Sequence, residues 1–315
     1  MLLQKNAPTL YTPQRAEEEA RRARKIESIY HVGQVKAWDG RAVLQESLAR
    51  FPVKDGEERI PRRTREALAS VFSVLMWGEL AAWRVSAQLA DLMTDNEHRM
   101  AATSQAHDEA RHYYVLHDYL KALNVEIPPL DDHSRAFLNA CLSTRSVLNK
   151  VVGMQLFVET IALTIFKMVR EMNVDPALSL VLAYYERDEA RHVGFGVQAL
   201  PQLVARAGFG GRVRLLMFEA RVLTSMLRSL KAREADLRLV GVDPRTLLED
   251  GGARFQRIVD DYRQEIGRKT NVEGQILARV YEAVLAAGFP TDPAASLWAR
   301  AGAAASALRR PSPLS

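Results

Sequence analysis

The chain has 315 residues, 48% of them apolar and 26% charged, with 43 Lys and Arg against 38 Asp and Glu. That balance excludes wholesale disorder and fibrous repeats, and a net charge of +5 is too small to argue for nucleic acid. A lone cysteine, Cys141, makes no internal disulfide, zinc cluster or iron–sulfur site and points to a reducing compartment. The N-terminal MLLQKNAPTLYTPQR holds no apolar stretch of signal-peptide length, so a cytoplasmic protein is expected.

In chain order the pattern predicts helices and no strands. Gln14 to Tyr30 is a charge-dense helix candidate. Arg62 to Met93 runs without Pro, its apolar positions recurring at three and four. Thr94-Asp95-Asn96-Glu97 breaks the run with good N-cap residues, and a second helix follows to Leu123. Pro128-Pro129 lies in a connection, followed by a short helix from His133 to Leu142 and a long one from Thr144 to Met172. Asn173-Val174-Asp175-Pro176 is the next turn, with Asp175 as N-cap and Pro176 at the first helical position, and its helix reaches Ala207. Gly208 to Gly211 breaks the chain. Arg212 to Val240, Leu247 to Gly267, Val272 to Ala287 and Pro293 to Leu308 complete the helices, with a frayed tail from Arg309 to Ser315. The most apolar run, Val151 to Val169, carries Gln155, Glu159 and Lys167. A central glutamate makes a membrane span costly, so this is read as a buried helix whose glutamate has a role.

One pentapeptide occurs twice. Asp108-Glu109-Ala110-Arg111-His112 and Asp188-Glu189-Ala190-Arg191-His192 both read DEARH, 80 residues apart. Glu79 precedes Glu109 by 30 residues, and Glu159 precedes Glu189 by 30, so a third position shares the offset of 80. This is the signature of a duplicated helix pair. In an antiparallel hairpin, residues equidistant from the turn sit at one height. The midpoint of 79 and 109 is 94, and that of 159 and 189 is 174; both fall in the turns already assigned. Glu79 therefore faces Glu109, and Glu159 faces Glu189. Within each DEARH the Glu and His, three apart, share a helix face. Packing the hairpins together collects four glutamates and two histidines. Four buried carboxylates are severely penalised without cations. Oxygen ligands with one imidazole per metal suit iron or manganese, and the set matches the ligand pattern of di-metal carboxylate bundles.

On these motifs residues 62–207 resemble the ferritin-like di-iron superfamily, and more narrowly its oxidase and oxygenase branch. Acyl carrier protein desaturases, oxidases similar to the ribonucleotide reductase small subunit, and arylamine N-oxygenases belong there. The resemblance implies an all-α, ferritin-like four-helix bundle: two antiparallel helical hairpins joined by a long crossover, plus extra flanking helices. The implied ligands are Glu79, Glu109, His112, Glu159, Glu189 and His192, with Glu109 and Glu189 as candidate bridges. It also implies that Asp188 holds His112 and Asp108 holds His192, and a ligand imidazole does want an acceptor for its second nitrogen. Arg111 and Arg191 could neutralise these aspartates. The implied cofactor is two Fe ions, with Mn/Fe an open alternative, and dioxygen is the co-substrate.

Three positions depart from particular subfamilies. Leu116 stands where the reductase subunit has its radical tyrosine. Tyr185 stands where N-oxygenases have an extra histidine, and Leu163 where multicomponent monooxygenases have threonine. Tyr185 is read as core packing with a satisfied hydroxyl, the alternative being a gating or radical role. Trp83 is read as core, the alternative being a channel wall. His98, His107 and His117 are expected to be exposed. The basic stretch holding Arg212, Arg214, Arg221, Arg228, Lys231, Arg233 and Arg238 is read as a solvated face rather than a dock for an acidic carrier or reductase.

The expected activity is oxidation of a small or largely apolar organic substrate, an acyl chain (carrier-bound or free) among the options. Hydroxylation, desaturation and N-oxygenation stay open. Gln155, Leu156 and Leu163 are candidate pocket liners. Electrons come from a separate reductase, because the chain has neither a cysteine cluster nor a dinucleotide-type Gly motif. The rival readings are an iron-handling ferroxidase without organic substrate and a radical-generating redox subunit. No nucleic acid and no membrane span are expected, and a homodimer is the default. The domain expectation is 1–61 as an N-terminal helical extension, 62–207 as the bundle, 208–308 as C-terminal helices packed on it, and 309–315 as a flexible tail.

Overall fold

The computed structural model describes residues 24–52, 59–266, 272–292 and 294–309; the start of the predicted Gln14–Tyr30 helix and residues 310–315 of the predicted tail lie outside them. Twelve helices and no strand occur among the described residues: α1 (Arg24–Val35), α2 (Gly40–Arg50), α3 (Arg62–Leu92), α4 (Asn96–Ala122), α5 (Asp132–Ser143), α6 (Val147–Met172), α7 (Pro176–Arg206), α8 (Phe209–Ala232), α9 (Glu234–Leu239), α10 (Pro244–Ile266), α11 (Val272–Gly288) and α12 (Leu297–Arg309). The all-α expectation holds.

Helices α3 and α4 form one hairpin and α6 and α7 the other, α4 packs on α7, and α5 lies in the crossover. The turns form for the reasons their residues suggest. Asp95 caps α4 by accepting from the His98 N–H at 3.0 Å. Asp175 caps α7 by accepting from the Ala177 N–H at 3.0 Å, with Pro176 at the first helical position. Asn173 takes the left-handed conformation at φ 51° that ends α6. The fully buried Asp175 carboxylate also accepts from Tyr119 at 2.9 Å and pairs with Arg59 at 2.8 Å, tying this turn to α4. Buried Lys150 bonds Gln88 of α3 and the Cys141 and Leu142 carbonyls near the end of α5, which locks the crossover into place.

Helix α6 is not uniform. Val151–Val158 is a π segment, and regular helix resumes at Glu159. Wide turns of this kind are rare and concentrate near functional sites. The segment precedes Glu159, so the spacing from Glu159 to the turn is undisturbed. It packs against α7 at Gly196, where a Cβ would lie 2.7 Å from Gln155 Cβ and 3.0 Å from Leu156.

Helices α1 and α2 lie over α4 and α7. The α2 helix was not foreseen; Gly40 permits its close approach, since a Cβ there would meet Val115 at 2.5 Å and Arg111 at 2.9 Å. The predicted Arg212–Val240 helix is instead α8 and α9, interrupted at Arg233, and α8 begins at Phe209, inside the predicted glycine break. Arg233 is drawn to Asp131 at 2.7 Å, and its backbone departs from helical geometry there. Helix α10 packs on α6 and α7, and α8 on α5. Arg62–Leu92 and Val147–Met172 are long and apolar enough to cross a membrane, but most of each apolar window is buried inside the bundle.

Candidate metal centre

All six predicted ligands come together at the middle of the bundle, and all are buried. They form two overlapping sets. Glu79, Glu109, His112 and Glu189 offer ligand atoms within 4.8 Å of one another, and so do Glu109, Glu159, Glu189 and His192. Glu109 and Glu189 are common to both. His112 Nδ1 lies 3.0 Å from Glu189 Oε1, 3.4 Å from Glu109 Oε2 and 3.5 Å from Glu79 Oε2. His192 Nδ1 lies 2.9 Å from Glu109 Oε1 and 3.0 Å from Glu189 Oε2. Glu109 and Glu189 thus present one oxygen to each half.

The donor set fits cations better than it fits hydrogen bonds. His112 Nδ1, Glu109 Oε2 and Glu189 Oε1 converge, are buried, and have no partner of hydrogen-bonding geometry. Orphaned atoms of this kind are costly. A cation bonded to them would satisfy all three. Six oxygen and nitrogen donors without thiolate suit iron or manganese.

Without a cation, burial drives protons onto the outer carboxylates. Burial first, then repulsion from Glu189, pushes Glu79 well above the usual carboxylate range; burial and Glu109 do the same to Glu159. Burial opposes ionisation of Glu109 and Glu189 too, but His192 and His112 hold both below the ordinary value. Burial alone would lower both histidines, yet the carboxylates around them raise both well above the ordinary imidazole value.

The far side of each imidazole is held across the hairpins. His112 Nε2 faces Asp188 Oδ2 at 3.4 Å, and His192 Nε2 faces Asp108 Oδ2 at 3.4 Å. This crosswise arrangement is the one the resemblance implied. Arg111 bonds Asp108 at 2.5 Å and Asp188 at 3.2 Å; Arg191 bonds Asp108 at 2.7 Å and Asp188 at 2.9 Å. Two aspartates and two arginines therefore form a closed, nearly buried quartet behind the site. Despite burial, the histidine partners lower Asp108 to about 2 and Asp188 further still.

Sequence reasoning missed two neighbours. The Trp38 indole N–H donates to Asp188 Oδ2 at 2.7 Å, and the Arg111 guanidinium sits 4.9 Å from its ring centre. No local pattern could show a contact 150 residues away. Gln105 donates to Glu109 Oε1 at 2.9 Å and Glu159 Oε1 at 3.2 Å. Its position one turn before Glu109 was the available signal. Tyr185 is fully buried, stacks on His112 with centroids 4.2 Å apart, and donates to the His112 carbonyl at 2.6 Å. It is packed with a satisfied hydroxyl.

Several expectations need correction. His98 is buried, because its ring bonds Asp95 at 2.5 Å and packs near Phe195; His117 is half-buried beside Tyr113. His107 is exposed, as expected. Gln155 is buried; one end of its amide lies against the Lys150 and Val151 carbonyls at 3.1 and 3.3 Å, and the other lies 3.4 Å from the Gln105 side chain. It lines neither cavity described below. Leu163 and Trp83, both half-buried, line neither cavity either. In the basic stretch Lys231, Arg233 and Arg238 are engaged with Glu234, Asp131 and Asp243, while Arg214, Arg221 and Arg228 are exposed.

A cavity of about 70 Å³ touches the outer carboxylates, Glu79 and Glu159. A second, of about 640 Å³, lies between α6, α8, α10, α11 and α12, with Leu156, Leu223, Leu248 and Phe255 among its mainly apolar walls. Ile161, Met226 and Leu230 belong to both. The larger volume lies within the range of small-molecule sites.

The sequence matches no protein-family model and no curated protein. Solved structures do match. The aldehyde deformylating oxidase "Protein 19" from Synechococcus aligns at a TM-score of 0.56 with 20% identity, over 65% of this chain and 93% of its own. An R2-like ligand-binding oxidase variant with a Mn/Fe cofactor aligns at 0.56 with 15% identity, over 74% of this chain and 92% of its own. Another variant of that oxidase, with a Fe/Fe cofactor, aligns at 0.50 with 15% identity, over 74% of this chain and 91% of its own. The chain has the ferritin-like helical-bundle fold of these oxidases.

Proposed function

We propose that this protein is a di-metal oxidase that uses dioxygen to oxidise a small, largely apolar organic substrate. The observation that carries the reading is the pair of overlapping ligand sets sharing Glu109 and Glu189, with three buried donor atoms left unsatisfied. The structural neighbours, oxidases with Mn/Fe or Fe/Fe cofactors, support it. Two irons are the expected cofactor, with Mn/Fe the alternative.

When bound, redox-active metals of this kind supply dioxygen activation. The chain's residues have separable tasks. Glu79 and Glu159 would each serve one metal; Glu109 and Glu189 would serve both. Asp188 and Asp108 accept the Nε2 protons of His112 and His192 and so aim each Nδ1 at the carboxylates. Arg111 and Arg191 keep those aspartates ionised. The apolar walls around Glu79 and Glu159 exclude water and leave room for a substrate's reacting end. A ferroxidase without organic substrate has no use for the larger cavity. Leu116, at the radical-tyrosine position, argues against a radical subunit.

The reading includes a separate reductase as electron donor and a homodimer. It also includes a cytoplasmic placement, for which the lone, free Cys141 is the support.

The test is metal content per chain after expression in iron-supplemented cells, followed by dioxygen consumption with a chemical reductant. About two metals per chain, lost in Glu159→Ala, together with dioxygen uptake by the loaded protein, are the expected results. A folded protein that takes up neither iron nor manganese would sink the reading.

A further inference from the structure

The walls of the larger cavity are sorted by polarity. Its α6 and α8 side offers apolar side chains, Phe157 and Ile161 from one helix and Leu223, Met226 and Leu230 from the other. The Thr160 hydroxyl belongs to that wall but has almost no accessible surface, so nothing in the cavity touches it. The polar side chains Arg245, Glu249, Gln256, Glu282 and Ser306 all stand on α10, α11 and α12, outside the four-helix bundle. The apolar side is also the side toward the metal centre: Ile161, Met226 and Leu230 separate this cavity from the small one, which touches Glu79 and Glu159. The charges on the polar side do not cancel. Arg245 pairs with Glu249 at 2.8 Å and donates to the Phe289 carbonyl at 2.8 Å. Glu282, half-buried on α11, has no ion pair or hydrogen bond with any described residue.

We infer that the larger cavity is the substrate chamber and that it takes a linear amphiphile tail first. The hydrocarbon tail lies along the α6 and α8 wall and ends at the partition of Ile161, Met226 and Leu230. The head stays among α10, α11 and α12. It is a hydrogen-bond donor, an alkylammonium in first place, because the unpaired group there is a carboxylate. The end of the tail, not the carbon beside the head, therefore faces Glu79 and Glu159. This deepens the oxidase reading and rests on it only for what happens at that end; binding in the chamber requires no metal.

The reversed orientation fails at both ends. An ammonium against Ile161 and Met226 loses its hydration and finds no acceptor, while the tail gains nothing beside Glu282 and the Arg245–Glu249 pair. A carboxylate head fares worse than an ammonium in either orientation, since the one cation on the wall is already engaged. Each methylene laid on the apolar wall is worth about fourfold in affinity, so the tail supplies the binding and the head supplies the direction.

The probes are octan-1-amine, octan-1-ol and octanoate, titrated calorimetrically into metal-free protein at neutral pH. The amine should bind most tightly, then the alcohol, with octanoate about three- to tenfold weaker than the amine. Glu282→Gln should weaken the amine about two- to fivefold and leave the alcohol nearly unchanged. Ile161→Ala joins the chamber to the small cavity, so the gain per methylene from octan-1-amine to decan-1-amine should continue further in that variant than in the unmutated protein. Ala303→Trp, on the exposed outer wall, should weaken all three probes and locates them. Orientation is read by fluorine NMR in protein loaded with Mn(II), against the same protein loaded with Zn(II). The signal of 8-fluorooctan-1-amine, labelled at the tail end, should broaden more than that of 2-fluorooctan-1-amine. The inference is overturned if octanoate binds as tightly as the amine, if Glu282→Gln weakens all three probes alike or none, if Ala303→Trp has no effect, if Ile161→Ala leaves the chain-length series as before, or if the 2-fluoro isomer broadens more. If the head order and the Glu282 and Ile161 effects hold in a protein that takes up neither iron nor manganese, the chamber stands and the oxidase reading falls. If metal is bound and dioxygen consumed while the head order fails, the reverse holds.

Discussion

Asp188 holds His112 from behind, and Asp108 holds His192, so the two halves of the site can be weakened one at a time. In Asp188→Asn the carboxylate that accepts from His112 Nε2 at 3.4 Å becomes a neutral amide. Loss of such a partner costs a ligand site about 10–100-fold in metal affinity, or about 1.4–2.7 kcal/mol. The Asp188 contacts with Arg191 at 2.9 Å and Trp38 at 2.7 Å weaken as well. Asp108 still pairs with both arginines but leaves one of their two charges uncompensated, so the fold should lose about 3–5 kcal/mol. A far-UV circular dichroism spectrum should show it folded before titration. The assay is anaerobic Fe(II) titration against a competing chelator. Under conditions where the unmutated protein holds about two metals per chain, Asp188→Asn should hold about one. Which half survives is read by combination. Glu159→Gln added to Asp188→Asn should abolish binding, because Glu159 belongs only to the surviving set. Glu79→Gln should add little, because Glu79 belongs to the half already weakened. Asp108→Asn should give the mirror result. Equal loss from both halves in either variant, or full retention in both, would refute the crosswise assignment.

Other outcomes follow from the same structure. Without metal, Glu79, Glu159, His112 and His192 are all shifted upward and hold their protons to higher pH than free side chains do. Loading must expel them, so affinity should rise with pH and a weakly buffered solution should acidify on metal addition; pH-independent uptake without proton release would contradict this. Asp108, held at about 2 when folded, contributes stability that is present above its ordinary value near 4 and lost as pH falls toward 2. Scaled to its own neutral-pH stability, Asp108→Asn should therefore lose less stability between about pH 4 and pH 2, and its acid unfolding should shift to lower pH. Asp175→Ala removes a helix cap and the partner of Tyr119 and Arg59; chemical denaturation should show a loss of about 3–5 kcal/mol, and a loss under 1 kcal/mol would show that the network is not coupled. Gly196→Ala drives a Cβ to 2.7 Å from Gln155 Cβ; overpacking costs about 1–3 kcal/mol, and the metal content should fall in parallel if the π segment positions Glu159.

The six site residues were legible because hairpin geometry turns sequence distance into height. Once Thr94-Asp95-Asn96 and Asn173-Val174-Asp175-Pro176 are turns, the partners of Glu109 and Glu189 are determined by counting. The counting survives the π segment only because that segment lies upstream of Glu159. Gln155 falls inside it, and its amide spans from the Lys150 and Val151 carbonyls to Gln105 beside the site, while it lines neither cavity. Trp38 was invisible for a different reason. It lies outside the repeat, and its partner Asp188 is far away in the chain. His98 was misjudged because a histidine three residues after an N-cap aspartate can turn its ring back onto that cap. The larger cavity could not be read from any window, since five helices from α6 to α12 contribute its walls.

Duplication explains the six ligands, while the departures from it make the two halves unlike. At the offset of 80, Gln105 corresponds to Tyr185 and Leu75 to Gln155. Gln105 reaches across to Glu109 and Glu159, whereas Tyr185 stacks on His112 and bonds its backbone. The half containing His112 is thus braced by rings, Tyr185 on one side and Trp38 beyond it. The half containing Glu159 is braced by the buried Gln105 amide. The small cavity touches Glu79 and Glu159 alike, so the outer carboxylate of each half borders open space. The larger cavity lies beyond it against α6, and it meets the small one at Ile161, Met226 and Leu230. The asymmetry between the halves therefore lies in what braces the ligands and not in which of them borders a cavity.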